Sequence, residues 1–197
     1  MLYNSIRAIL RFIYILLGFK VEGLEHLPAE GAVIVAANHV SNWDPIMVAM
    51  AINRPVHFMG KAELFNHQIL GKLLTALNAF QVKRGSADRH AIRHALKILE
   101  EGNVLGIFPE GTRNKTGLEI KAQSGIGFIA LRSGATIVPV ACIGTERNLP
   151  LGWFRPLLVR IGEPIFLDDY QDSKINSASL EQLTNEVFDK INTLLSK

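Results

Sequence analysis

An α/β domain with a mostly parallel central sheet flanked by helices is the fold this sequence predicts. An N-terminal amphipathic helix at a membrane interface is expected to precede it. Three observations carry that expectation. Short apolar runs rich in β-branched residues alternate with longer stretches of helical period. That alternation argues for a parallel sheet with helices packed on it. The 197 residues suit one domain with a sizeable core, and no internal repeat, low-complexity tract or long linker divides them.

The first element is a helix over Leu2–Leu17. At ~100° per residue, Tyr3, Arg7, Arg11 and Tyr14 share one side. Leu2, Ile6, Ile9, Leu10, Ile13, Leu16 and Leu17 fill the broad remainder. This arc suits a helix lying in a membrane interface, with the arginines reaching to anionic head groups. Packing on the domain, or against a second copy, is the alternative. The uninterrupted apolar run Phe12–Phe19 is about half of the ~20 residues a spanning helix needs. No small-residue cleavage site follows, so no removable signal peptide is expected. Residues 1–19 are read as the anchoring helix and 20–197 as one α/β domain.

Next comes the strand Val33–Ala37, a turn over Asn38–Trp43, and a helix over Pro45–Ile52. Strands are then expected at Val56–Met59, Phe80–Val82, Val104–Phe108, Thr136–Ile143 and Leu157–Ile161. Helices are expected around Gln68–Leu77 and over Ala87–Glu101, Ser124–Ser133 and Leu180–Leu195. The segment "SADRHAIRHALKILEEG" has the cleanest helical pattern. Ser86 can cap it, Ile92, Leu96 and Leu99 line one side, and Gly102 follows its end.

Composition narrows the function. Hydrophobic residues make up 48% of the chain, and mean hydropathy is +0.20. Those values sit high for a soluble protein, whereas 20% charged residues are too many for a polytopic membrane protein. The net charge of +3 is mild, and no nucleic-acid partner is expected. Arg7, Arg11 and Lys20 are the only charged residues before Glu22, so the N-terminal segment carries a charge as large as the whole chain's net. The single cysteine, Cys142, lies in an apolar run and reads as a buried strand residue in a reducing compartment.

The chemistry concentrates in "VIVAANHVSNWDPIMVAM". His39 and Asp44 are five positions apart. On one helix they would stand ~140° apart around the axis and would not meet. A strand–loop–helix corner can instead fold the Asp44 carboxylate back onto the imidazole. Asp44 would then fix the tautomer, and the other ring nitrogen would take a proton from an attacking hydroxyl. The competing reading is an Asp-Pro helix start beside a histidine that only bonds backbone. A second segment, "NVLGIFPEGTRN", is a strand that ends in a polar turn. Strand ends of open α/β sheets are where ligands usually bind. Arg113 offers a planar fork for a phosphate, and Gly111 and Thr112 offer backbone N–H groups. Lys61 and Arg84 follow candidate strands at the same sheet end and can join a cationic pocket.

Three decoys are set aside. "GIGFIA" matches a loose dinucleotide fingerprint but lacks a preceding buried strand, so it reads as small-residue packing at a helix start. His90 and His94 sit one turn apart among Arg89, Arg93 and Lys97, which favours a solvated face over a metal site; no metal is expected. The acidic "LDDYQD" reads as a loop leading into the last helix.

Together the segments resemble the glycerolipid acyltransferases of the 1-acyl-glycerol-3-phosphate type over about residues 20–165. "NHVSNWDP" is similar to the first family block, with His39 and Asp44 in its histidine and aspartate places. "KAELFNHQILGKLLTALNAFQVKRG" resembles the second at Lys61, Glu63, Leu64, Phe65, Gly71, Val82, Arg84 and Gly85. "FPEGTRN" resembles the third and "IVPVA" the fourth. The second block departs on the acceptor side: Gln68 stands where proline is frequent, Asn78 where glycine is common, and Gln81 and Lys83 where proline and an acid often occur. The resemblance implies acyl transfer from a coenzyme A or acyl carrier protein thioester to a lysophospholipid hydroxyl, yielding phosphatidic acid, with no resident cofactor. It implies His39 as general base and Asp44 as its partner. Glu110, Gly111, Thr112 and Arg113 would bind the acceptor, with Lys61 and Arg84 beside them. Another acceptor, such as glycerol 3-phosphate or a different lysophospholipid, and a non-catalytic lipid-binding module are the rival readings. The expected place of work is the cytoplasmic face of the cell membrane, as a peripheral or monotopic protein.

Overall fold

The computed structural model describes residues 2–16, 18–83, 88–113, 125–146, 157–170 and 176–197. Among these, a seven-stranded sheet runs in the order β1-β7-β6-β2-β5-β3-β4. The strands are β1 (Lys20–Glu22), β2 (Val33–Ala37), β3 (Val56–Lys61), β4 (Ala79–Val82), β5 (Val104–Ile107), β6 (Thr136–Ile143) and β7 (Leu158–Ile161). Strands β6, β2, β5, β3 and β4 run parallel, while β7 is antiparallel to β6 and parallel to β1. The predicted α/β class with a mostly parallel sheet is the observed one.

The helices are α1 (Leu2–Leu16), α2 (Asp44–Ala51), α3 (Ala62–Phe65), α4 (Gln68–Ala76), α5 (Arg89–Glu100), α6 (Gly125–Ser133) and α7 (Ser177–Ser196). Alternation of side chains along β2 divides the core. Val33, Val35 and Ala37 pack with α1 and α2 on one face, against Tyr14, Met47, Val48 and Met50. Ile34 and Ala36 pack with α5, α6 and α7 on the other, against Ala95, Leu99, Ile126 and Leu183. Both faces of β2 are buried, so the polar loop that follows it begins in an enclosed place.

Several local expectations change. The three-residue strand β1 has one apolar residue, too little to register as a pattern. The cap of α5 is Asp88, which accepts from the His90 and Ala91 N–H groups; Ser86 lies outside the described residues. Gly102 then ends that helix at φ +73°, as the sequence suggests. Asn78 takes φ +63°, which explains how it replaces a common glycine, since asparagine tolerates the left-handed region better than most residues. The "GIGFIA" segment is small-residue packing: a Cβ on Gly127 would stand 3.0 Å from the Leu180 carbonyl and the Thr184 hydroxyl of α7.

Helix α1 packs on the domain through its polar stripe. Tyr3 and Tyr14 are buried, and the Tyr3 hydroxyl accepts from the Val56 N–H. Arg7, expected to reach head groups, instead donates to the Ile52 carbonyl at the end of α2. The polar stripe therefore faces the protein. Phe12 and Leu16 on the apolar arc are 66% and 70% exposed.

Candidate active site

Strand β2 lies between β5 and β6, and all three run the same way. The loops after β2 and β5 therefore leave the sheet side by side, which brings "NHVSNWDP" and "FPEGTR" together. The expected strand–loop–helix corner is present. Residues 38–43 turn away from the sheet, and α2 starts at Asp44 with Pro45 directly behind it.

Asp44 does not cap the helix with its side chain. Its carboxylate folds back into the loop, where Oδ2 accepts from His39 Nδ1 at 2.9 Å and from the Val40 and Ser41 N–H groups at 2.8 and 2.7 Å. The carboxylate side chain is fully buried, and that of His39 is 9% exposed. A buried carboxylate needs such donors, because hydrogen bonds to charged groups offset the loss of water. A carboxylate accepts, so Nδ1 carries the proton and Nε2 is the basic nitrogen left for chemistry. The pair is thus oriented as a general base has to be.

The imidazole is also held by rings. Phe108 stacks on His39 with centroids 4.2 Å apart and planes 22° apart. Phe58 stacks on Phe108 at 5.9 Å and 13°. The column needs a glycine in β5: a Cβ on Gly106 would lie 2.2 Å from the Phe58 ring. The motif blocks contain Phe108 but say nothing of this stacking. Phe58 and Gly106 attract no notice in sequence, because their importance comes from β3 lying beside β5.

Of the other expected site residues, Lys61, Glu110, Gly111, Thr112 and Arg113 sit at the same sheet end with different surroundings. Glu110 is buried, and its Oε1 accepts from the His39 backbone N–H at 3.0 Å. Gly111 takes φ +67°, and its N–H donates to the Phe108 carbonyl at 2.9 Å, so this donor already serves the turn. Thr112 and Arg113 are exposed. Lys61, at the end of β3, is also exposed and pairs with Glu63 at 3.1 Å. Arg84 and Asn114 lie outside the described residues. Cys142 is buried in β6, and burial, followed by the Asp44 charge, pushes its thiol well above the usual range; it is no nucleophile. Among the described residues no group of three or more His, Cys, Asp or Glu side chains is placed to hold a metal ion. His94 packs edge-on against Phe80 at 4.6 Å, and His90 is exposed.

A histidine bonded to a buried aspartate thus lies at the end of a parallel sheet, beside an exposed arginine loop, an arrangement compatible with a transfer reaction that activates a hydroxyl. Comparison with known proteins gives the class. The Acyltransferase family profile matches residues 18–143, and the chain belongs to that family. It is an acyltransferase enzyme. Among its relatives is a 1-acyl-sn-glycerol-3-phosphate acyltransferase of Bacillus subtilis, 33% identical over 173 residues, covering 86% of this chain and 85% of that protein. A protein of the same description from Borreliella burgdorferi is 31% identical over 73% of this chain and 59% of its own length. The crystal structure of the 1-acyl-sn-glycerophosphate (LPA) acyltransferase PlsC from Thermotoga maritima superposes with a TM-score of 0.73 at 26% identity, covering 99% of this chain and 80% of that one.

Proposed function

We propose that this enzyme transfers an acyl chain from an acyl-CoA or acyl carrier protein thioester to the sn-2 hydroxyl of 1-acyl-glycerol-3-phosphate, making phosphatidic acid for phospholipid synthesis. The observation that carries the reading is the buried His39–Asp44 pair with Nε2 left as the basic nitrogen. Nε2 removes the acceptor's hydroxyl proton as that oxygen attacks the thioester carbonyl. The tetrahedral adduct collapses, the carbon–sulfur bond breaks, and the imidazolium returns the proton to the departing thiolate. The products are an ester and a free thiol. Asp44 stabilises the imidazolium between the two transfers, a role worth ~10²–10⁴-fold together with the base. Arg113 meets the acceptor phosphate, with Lys61 and Arg84 as further cations for it, and Glu110, Gly111 and Thr112 shape the loop that presents it.

The enzyme works on the cytoplasmic face of the cell membrane, held there by α1. The exposed Ile9, Phe12 and Leu16 support this, since a helix that turns its polar stripe inward leaves its apolar face for lipid. No helix among the described residues is long and apolar enough to cross a membrane. The test is thioester release by the purified enzyme with lysophospholipids of several head groups and glycerol 3-phosphate. Lysophosphatidic acid should be the best acceptor, and His39→Ala should cut turnover to a small residual rate without unfolding. Near-normal activity in that variant would sink the base assignment. Deleting residues 1–17 should release the protein from anionic vesicles; unchanged co-sedimentation would remove α1 as the anchor.

A further inference from the structure

Asn38 separates the last residue of β2 from the base, and the acyl-transfer chemistry gives it no task. Its side chain is nevertheless buried and bonded twice to one residue 104 positions away. Nδ2 donates to the Cys142 carbonyl at 3.0 Å, and the Cys142 N–H donates to Oδ1 at 2.7 Å. The reason lies in the sheet. Strands β2 and β6 stay in register only as far as Ala37 and Val140. Beyond that point the chain leaves the sheet to make the catalytic corner. The Cys142 N–H and carbonyl, still buried, would then lose a partner strand. A side-chain amide carries the same donor and acceptor as a peptide unit, so Asn38 stands in for the missing strand residue. Aspartate lacks the donor, and serine is too short to reach both groups.

The other flank is tied as well. The His39 N–H donates to Glu110 Oε1 in the loop after β5, the strand on the opposite side of β2. The backbone that carries the base is therefore linked to both neighbouring strands at consecutive residues.

We propose that Asn38 is a positioning residue for acyl transfer: its amide pair with Cys142 fixes where the chain leaves β2, and so holds the His39 ring between Asp44 and Phe108. The inference rests on His39 being the base. It predicts an effect on the chemical step and not on substrate binding, because Asn38 is turned toward β6 and acts through His39. Misplacing a reacting group by ~1 Å can cost ~10²-fold.

The experiment uses the full-length enzyme on vesicles with 1-acyl-glycerol-3-phosphate, supplied in turn with acyl-CoA and acyl carrier protein thioesters. Asn38→Ala should lower kcat about 10–100-fold, leave both KM values unchanged, and move the acidic limb of the kcat/KM pH profile, which reports the base. In a His39→Ala background, adding Asn38→Ala should leave the residual rate unchanged. A similar fold-loss in both backgrounds, a raised KM at constant kcat, or a wild-type kcat and pH limb would overturn the proposal. Should Asn38→Ala fail to fold, Asn38→Gln keeps donor and acceptor on a longer stem. It should fold with a lowered kcat and a moved limb, and wild-type behaviour in it would be equally fatal. The two readings fail separately. Full activity in His39→Ala removes the base, whereas an inactive His39→Ala beside a normal Asn38→Ala removes only the positioning role.

Discussion

At the carboxyl end of the sheet, His39, Asp44, Asn38 and Glu110 are buried and bonded to protein, whereas Lys61, Thr112 and Arg113 a few residues away are exposed. Under the proposed function both groups serve one reaction, but under different constraints. A base is effective only when its angle to the hydroxyl is set before substrate arrives, so the protein supplies its hydrogen bonds and its ring packing. A cation that meets a phosphate loses less by staying hydrated until the anion replaces the water. Burying it beforehand would carry a desolvation cost with no partner to offset it. The buried group should therefore control kcat, and the exposed group the acceptor KM.

Asp44 offers the most severe test of this division. Asp44→Asn presents an amide of the same shape and should lower kcat by about 10³-fold or more while the protein still binds acceptor, by analogy with the known cost of a wrong imidazole tautomer. A loss confined to KM would erase the distinction. Next in size, Arg113→Ala should raise the KM for a phosphate-bearing acceptor about 10–100-fold, the worth of one charge-assisted hydrogen bond, and should spare a neutral acceptor. Equal loss on both would place Arg113 among the kcat residues. Gly106→Ala probes the ring column. The new methyl cannot coexist with the Phe58 ring as placed. Overpacking should therefore cost about 1–3 kcal/mol of stability, and displacing Phe58 and Phe108 should lower kcat as well. A stability loss with unchanged kcat would show that the rings support the core and not the base.

The smallest effect concerns a histidine outside the site. Burial, with a lesser push from the His94 charge, holds the His57 imidazole below its ordinary pKa of 6.5, opposed weakly by Glu101. The unfolded chain then binds a proton more readily than the folded one. Stability is therefore fully present above about 6.5 and declines as pH falls through that value toward the lower folded pKa. Chemical denaturation across this range should show the decline, and His57→Gln should flatten it. An unchanged slope in the variant would assign the proton to another group. Turnover at pH 7 should be unaffected, which keeps stability and catalysis separate.

Much of this architecture is legible in the amino-acid sequence. Val33–Ala37 and Thr136–Ile143 are strands as expected, because apolar runs this short and this rich in β-branched residues favour strand over helix. The corner after β2 follows from geometry, since a five-residue spacing excludes a helical pairing and leaves a turn. Of the two readings of Asp44, the fold-back onto His39 is the observed one, because two loop N–H groups and an imidazole take the carboxylate. The task of Arg7 on α1 changes for a similar reason. A helical wheel records polarity but not the partners waiting on the domain, here the Val56 N–H and the Ile52 carbonyl.

Local pattern in the chain settles most of the elements and their order, β1 excepted, and marks His39 and Asp44 as candidates for the chemistry. Period, turn residues and the spacing of motifs are enough for that. Which atoms meet is settled by the packed fold. The bonds that hold the base join His39 to Glu110 across 71 residues and Asn38 to Cys142 across 104. They exist because the sheet places β2 between β5 and β6. Strand order is a property of the whole packed core, in which both faces of every central strand must be covered at once. No local pattern encodes it.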